Sequence, residues 1–164
     1  MRLTYWTGFW VFLLDQLSKY AIVHGMNLVE VGRIPIWSPY LEFRMAWNRG
    51  VNFGLFSDFD MRWVLIVVAI AISVGAIYWI RKEGGSKWTY LSGGLLVGGA
   101  VGNIVDRLLY GAVADFINMS CCGIENPYAF NVADIGIFAG AFGLIVFTSD
   151  KGGKASRKTG NKST

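Results

Sequence analysis

Residues 61–80 read MRWVLIVVAIAISVGAIYWI, with no charged side chain between Arg62 and Arg81. At about 1.5 Å per helical residue, such a run is as long as the hydrocarbon core of a bilayer is thick. That makes the chain a membrane protein on first reading, and further spans are expected. Three more stretches have the required length. The first, about 5–23, is apolar except around Asp15, Gln16 and Lys19. Another, about 88–109, is glycine-rich and carries Asn103, Asp106 and Arg107 near its end. The last, about 130–148, carries Asn131 and Asp134 near its start. Composition agrees: only 16% of the 164 residues are charged, fewer than a water-soluble surface needs. The expected architecture is a mainly α membrane protein with four transmembrane helices. It forms one domain, 1–149, followed by a basic tail, 150–164, that lacks apolar periodicity and is expected to be disordered.

The basic residues orient this bundle. Arg2 precedes the first span, Arg81, Lys82 and Lys87 fill the loop between the second and third, and Lys151, Lys154, Arg157, Lys158 and Lys162 crowd the tail. These nine of the 15 Lys and Arg fall on one side of a four-span protein. The positive-inside rule assigns that side to the cytoplasm, so both termini are inside and segments 24–60 and 110–129 are outside. The tail's charge is thereby accounted for, and no nucleic-acid partner is expected. The first span is interrupted by Asp15 and Gln16 and is followed by no A-x-A-like site, so it is read as retained rather than cleaved. Cys121 and Cys122 are adjacent in an outside loop. Neighbouring cysteines rarely bridge each other, and their spacing is no metal-ligand pattern, so they are assigned no role.

The first outside segment is more than a linker. Leu41, Phe43, Met45 and Trp47 alternate with Glu42, Arg44 and Ala46, the pattern of a strand with one apolar face. Trp37, Tyr40 and Trp47 are of the kind enriched at membrane interfaces. A small antiparallel sheet over about 28–56, lying on the outer leaflet, is expected. After it, NRGVNFG places Gly50 and Gly54 where the backbone can turn or approach a ligand closely. Gly94, Gly98 and Gly102 recur every four residues on one face of the third span, and Gly136 and Gly140 do so on the fourth. Small residues at that spacing let helices approach closely, and these glycines need no catalytic role.

The ionisable residues inside or beside the spans are the most informative, because a charge at mid-membrane costs about 2.5–3.5 kcal/mol on insertion scales. By depth, Asp15, Lys19, Asp106, Arg107 and Asp134 all converge on the outer half of the bilayer, and Asp115, eight residues beyond Arg107, can reach the same level. Asp15 and Lys19 are i, i+4. Asn103 and Asp106, like Asn131 and Asp134, are i, i+3, so each Asn shares a face with its Asp. Two carboxylates held close in a poorly solvated site share a proton, and one can then act as base on a water while the other donates to a carbonyl oxygen. Spacing alone does not choose the working pair among Asp15, Asp106, Asp115 and Asp134. Asp15 with Lys19 and Asp106 with Arg107 also fit plain structural ion pairs.

Five blocks occur in order: Asp15-Gln16-Leu17-Ser18-Lys19; Asn48-Arg49-Gly50 with Asn52-Phe53-Gly54; Gly98 to Arg107 (GGAVGNIVDR); Val113-Ala114-Asp115-Phe116; and Phe130-Asn131-Val132-Ala133-Asp134. Together they resemble the bacterial lipoprotein signal peptidase family, signal peptidase II, over nearly the whole chain except the tail. The resemblance implies a four-span peptidase of the bacterial inner membrane, with a small periplasmic sheet and an external helical segment. Such an enzyme cuts prolipoproteins just before their diacylglyceryl-modified cysteine. It further implies that Asp115 and Asp134 are the catalytic aspartates. Asp15, Lys19, Asn48, Gly50, Asn103, Asp106, Arg107 and Asn131 match residues that line or support the site, where globomycin-type antibiotics are expected to bind. Neither metal nor cofactor is implied, and the partners are the modified prolipoprotein and membrane lipid. Ala114 departs from the Val that many members carry. A proton-coupled transporter is the main competing class, but the second span carries no charge along its length, where a relay would need polar groups. An assembly scaffold would explain the glycines and not the Asn–Asp pairs.

Overall fold

The computed structural model describes residues 1–50, 60–123 and 125–159, with side chains described as far as Thr148. Four long helices dominate. Helix α1 spans Arg2–Lys19 and runs on as a π-helical segment, Tyr20–Gly25; α3 spans Met61–Glu83, α4 Lys87–Tyr110 and α5 Val132–Thr159. Between the first two lie a single helical turn, α2 (Leu28–Val31), and strands β1 (Arg33–Trp37) and β2 (Leu41–Asn48); β3 (Val113–Met119) joins α4 to α5.

Local chemistry sets the boundaries. Asp60 caps α3 by accepting from the Arg62 N–H at 3.2 Å, and Ser86 caps α4 by accepting from Thr89 at 3.3 Å. Gly111, at φ +75°, ends α4 in the left-handed conformation that glycine adopts without a Cβ penalty. Among the described residues α3 is the helix long and apolar enough, by length and composition, to cross a membrane, and Val132–Thr148 is a shorter apolar helix. Helices α1 and α4 interrupt their apolar runs with charges that the protein interior takes up, as the site below shows.

Helix α4 is central, packing against α1, α3 and α5, while α1 also touches α5. Glycines make this possible. A Cβ on Gly98 would strike the Gly8 carbonyl of α1, one on Gly99 the Ala133 carbonyl of α5, and one on Gly140 the backbone of Leu96. The glycine stripes are therefore packing surfaces, as expected from their spacing.

The sheet has three antiparallel strands in the order β1-β2-β3. Strands β1 and β2 lie inside the segment where a sheet was expected. Residues 51–59, including Asn52, Phe53, Gly54 and the expected end of that sheet, lie outside the described residues. The third strand was not anticipated, because 110–129 was read as a loop; Val113, Phe116 and Ile117 are good strand formers, and the segment finds a partner in β2. Val23, Leu28, Ala114 and Phe116 form the core under the sheet, joined by Ile34, Phe43 and Met45. Phe43 meets Phe116 edge-on with ring centroids 5.9 Å apart. Trp37 and Tyr40 remain exposed, as does Trp47 beside Tyr110.

One expectation needs correction. Cys121 and Cys122 are joined to each other by a disulfide, and Cys122 has φ +60°. Helix α5 runs to Thr159, into the segment assigned to the tail. Residues 160–164 lie outside the described residues.

Candidate active site

The polar residues of the helices and of β3 meet in one buried network. Its centre is Asn131, which is fully buried immediately before α5. The Asn131 side-chain oxygen accepts from the Asp134 N–H at 2.9 Å, and an Asp134 carboxylate oxygen accepts from the Asn131 N–H at 3.2 Å. This reciprocal pair is a capping box, and it fixes Asp134 in the first turn of α5. The Asn131 amide nitrogen is left free to point away from the helix. It donates to Asp115 Oδ1 at 2.6 Å and to Asn103 Oδ1 at 3.2 Å.

Asp115 reaches this point from the sheet. It pairs with Ala46 across the ladder, beside a bulge that sets Arg44 and Met45 of β2 against Phe116 of β3. A bulge bends its strand and re-aims the side chains next to it. Asn48, two residues beyond Ala46 and so on the same side of β2, donates to Asp115 Oδ2 at 3.1 Å. The Asn48 oxygen in turn accepts from the Gly50 N–H at 3.0 Å, which fixes which end of the amide faces the carboxylate. Gly50 has φ +95°, and a Cβ there would meet Leu65 of α3 at 2.6 Å, so the position suits glycine on both counts.

Asn103 donates to Asp134 Oδ1 at 2.9 Å. Every oxygen of Asp115 and Asp134 thus receives a protein N–H, and Asn131 contacts both carboxylates. Asp115 is almost fully buried and Asp134 half-buried. Burial, and after it the negative charge of Asp134, pushes the Asp115 carboxyl up to about 7, against the opposing pull of Asn48, Asn131 and Lys19. Below that pH Asp115 holds a proton. Arg107, half-buried, donates to the Asn103 carbonyl at 3.2 Å and lies within Coulombic reach of Asp115, Asp134 and Asp106.

The other two aspartates sit behind this pair. Lys19 reaches Asp15 Oδ2 at 2.8 Å and Asp106 Oδ2 at 2.7 Å, and all three side chains are buried. The Asp15–Lys19 pair was expected from spacing. Asp106 was matched with its neighbour Arg107, and that pairing is replaced by Lys19 of α1, because Asp106 points toward α1 and its carboxylate needs a buried cation. Likewise Asn103 serves Asp134 of α5 rather than Asp106 on its own helix. Sequence spacing finds partners on one helix and misses those across an interface.

All ten residues singled out from the sequence therefore belong to one cluster, in two layers: Asp115 and Asp134 with Asn48, Gly50, Asn103, Arg107 and Asn131, and behind them Asp15, Lys19 and Asp106. Sequence reasoning missed Gln16, whose amide donates to both Asp15 and Asp106 at 3.1 Å. Its place beside Asp15, inside an apolar span, was the available signal. Among the described residues no group of three or more His, Cys, Asp or Glu is arranged to hold a metal ion.

Comparison with known proteins adds the following. A family model described as signal peptidase (SPase) II matches residues 8–149. The lipoprotein signal peptidase of Methylorubrum extorquens (strain PA1) is 42% identical over 135 residues, 81% of this chain and 77% of that protein. The lipoprotein signal peptidase of Shewanella sp. (strain MR-4) is 38% identical over 148 residues, 88% of this chain and 84% of that protein. A structure described as a bacterial membrane enzyme, determined by the in meso method at 1.9 Å, is similar with a TM-score of 0.77 at 26% identity, over 89% of this chain and 92% of that one.

Proposed function

The chain belongs to the signal peptidase II family, and from that premise we propose that it is a lipoprotein signal peptidase working through Asp115 and Asp134. The observation that carries the assignment is Asn131, whose side-chain amide donates to Asp115 and whose backbone N–H donates to Asp134, with Asp115 buried and Asp134 half-buried at the edge of the network. Asp15 and Asp106 are fully committed to Lys19 and Gln16, so they are poor candidates for proton transfer.

In the reaction, one carboxylate of the pair is ionised and the other holds the proton. The ionised one removes a proton from a water whose oxygen attacks the scissile carbonyl carbon. The protonated one donates to the carbonyl oxygen as it becomes negative. The tetrahedral intermediate then collapses, the C–N bond breaks, and the leaving amine takes up a proton from the pair. Asn48, Asn103 and Asn131 hold the carboxylate oxygens in place through the cycle, and Arg107 offsets part of the negative charge.

The substrate is a prolipoprotein whose cysteine already carries a diacylglyceryl group, cut on the amino side of that cysteine. Four spans with both termini in the cytoplasm put the pair near the outer face of the bacterial inner membrane, where such a bond lies. A lipid-bearing substrate reaches it sideways from the bilayer. The test is incubation of purified protein with a diacylglyceryl-modified prolipoprotein, read as a gel shift with and without globomycin. Cleavage that globomycin blocks is the expected result. Absence of cleavage, together with proton flux in proteoliposomes, would replace the peptidase with a transporter.

A further inference from the structure

Behind the two site aspartates the chain builds a second, symmetrical structure. Asp115 is preceded by Ala114 and Asp134 by Ala133, both buried, so their backbone N–H groups need partners. The Ala114 N–H donates to Asp106 Oδ2 at 3.1 Å, and the Ala133 N–H donates to Asp15 Oδ1 at 2.9 Å. Each buried aspartate therefore grips the backbone N–H of the residue just before one site aspartate.

The two grips are tied together from α1. Gln16 and Lys19, three residues apart and on one helical face, each reach both carboxylates: Gln16 at 3.1 and 3.1 Å, Lys19 at 2.8 and 2.7 Å. A continuous chain of contacts thus runs from Ala114 through Asp106, the Gln16–Lys19 fork and Asp15 to Ala133. Gly102 makes the close approach possible, since a Cβ there would lie 2.6 Å from Asp15 Oδ2. A buried ion pair of this kind is weak evidence for stability and is better suited to fixing one arrangement. Strand β3 and the start of α5 are already joined by the Ile117–Phe130 bridge and by Asn131, and this path adds a second tie from α1 and α4 on the far side of the pair.

We propose that Gln16 is a positioning residue which, with Lys19, clasps Asp15 to Asp106 and so sets the separation of Asp115 and Asp134. The proposal rests on the peptidase reading above, with Asp115 and Asp134 as the working pair. Lys19 supplies the charge of the clasp and Gln16 its direction, because a planar amide with two donors spans two fixed oxygens where an ammonium alone would let them shift.

The test is Gln16→Met, which keeps length and loses both donors. Gln16→Asn, too short to span both carboxylates, takes its place if the first variant is not recovered folded. Two readouts are taken. Cleavage of lipid-modified prolipoprotein should lose roughly ten- to a hundredfold in kcat with KM held within about twofold, since a displaced site costs the chemical step. The pH midpoint of that cleavage should also move by about half a unit or more, because the proton on Asp115 responds to its distance from Asp134 on α5 as well as to Lys19 of α1 and Arg107 of α4. Independently of activity, amide exchange in 15N-labelled protein should show Ala114 and Ala133 losing protection together. Wild-type kcat and pH midpoint, or unchanged exchange at both alanines, overturns the clasp. Inactive wild-type protein in which the variant still releases both amides overturns the peptidase reading and leaves the clasp standing.

Discussion

The carboxyl of Asp115, on which the proposed chemistry rests, is sensitive to its surroundings. Its ordinary value of 3.8 is lifted to about 7 by burial and by Asp134, so the folded state holds a proton there that the unfolded chain has already released. A raised value in the folded state gives a contribution to stability that is present below the unfolded value and lost as pH rises through the folded one. Two results follow. Cleavage should fall as pH rises through about 7, when the pair loses its shared proton, and a rate profile flat between pH 6 and 9 would contradict this. In thermal unfolding, the stability of Asp115→Asn relative to the parent should rise between pH 4 and pH 8, because the neutral amide escapes the cost of a buried charge, while its NH2 facing Asn48 or Asn131 costs the same at both. Asn131 could be recognised from sequence as a partner of Asp134 one turn away. Its contact with Asp115 could not, because that depends on where a strand is placed.

At the scale of elements, α4 holds the molecule together through its glycine face. Gly99 accepts the Ala133 carbonyl of α5 against its backbone, whereas Gly75 of α3 has nothing within 4 Å of where a Cβ would be. Gly99→Ala should therefore destabilise by about 1–3 kcal/mol through overpacking. Gly75→Ala should be neutral or stabilise by up to about 1 kcal/mol through helix propensity. Unfolding of the two variants in detergent, compared with the parent, checks the contrast; equal stabilities would deny the close α4–α5 approach. The glycine stripes were legible because a four-residue spacing leaves only one face for them. The sheet was half legible. Alternation in β2 is visible in the chain, but β3 follows a helix without any hairpin signal and becomes a strand only by pairing with β2. Gln16, Ala114 and Ala133 were invisible as a set, since two of them act through backbone N–H groups that every residue carries.

For the whole molecule, the distribution of basic residues makes a prediction that the helical packing alone does not. Reporter fusions after Ser86 and after Ser149 should both report cytoplasm, and a fusion at position 57 the periplasm; a periplasmic reading after Ser149 would break the four-span arrangement. That arrangement matters because the proposed cleavage requires the acidic cluster to lie at the depth where a signal peptide ends. The account stands or falls on the pair itself, and the most direct measurement is cleavage of lipid-modified prolipoprotein by purified Asp115→Asn, Asp134→Asn and the double variant. All three should fold and insert, because Asn is nearly isosteric with Asp and relieves the repulsion between like charges. Each single variant should lose at least about a thousandfold in turnover, and the double variant should be no worse than either, as groups that act as a unit are not additive. Near-wild-type turnover by either single variant would remove that aspartate from the mechanism and contradict the assignment.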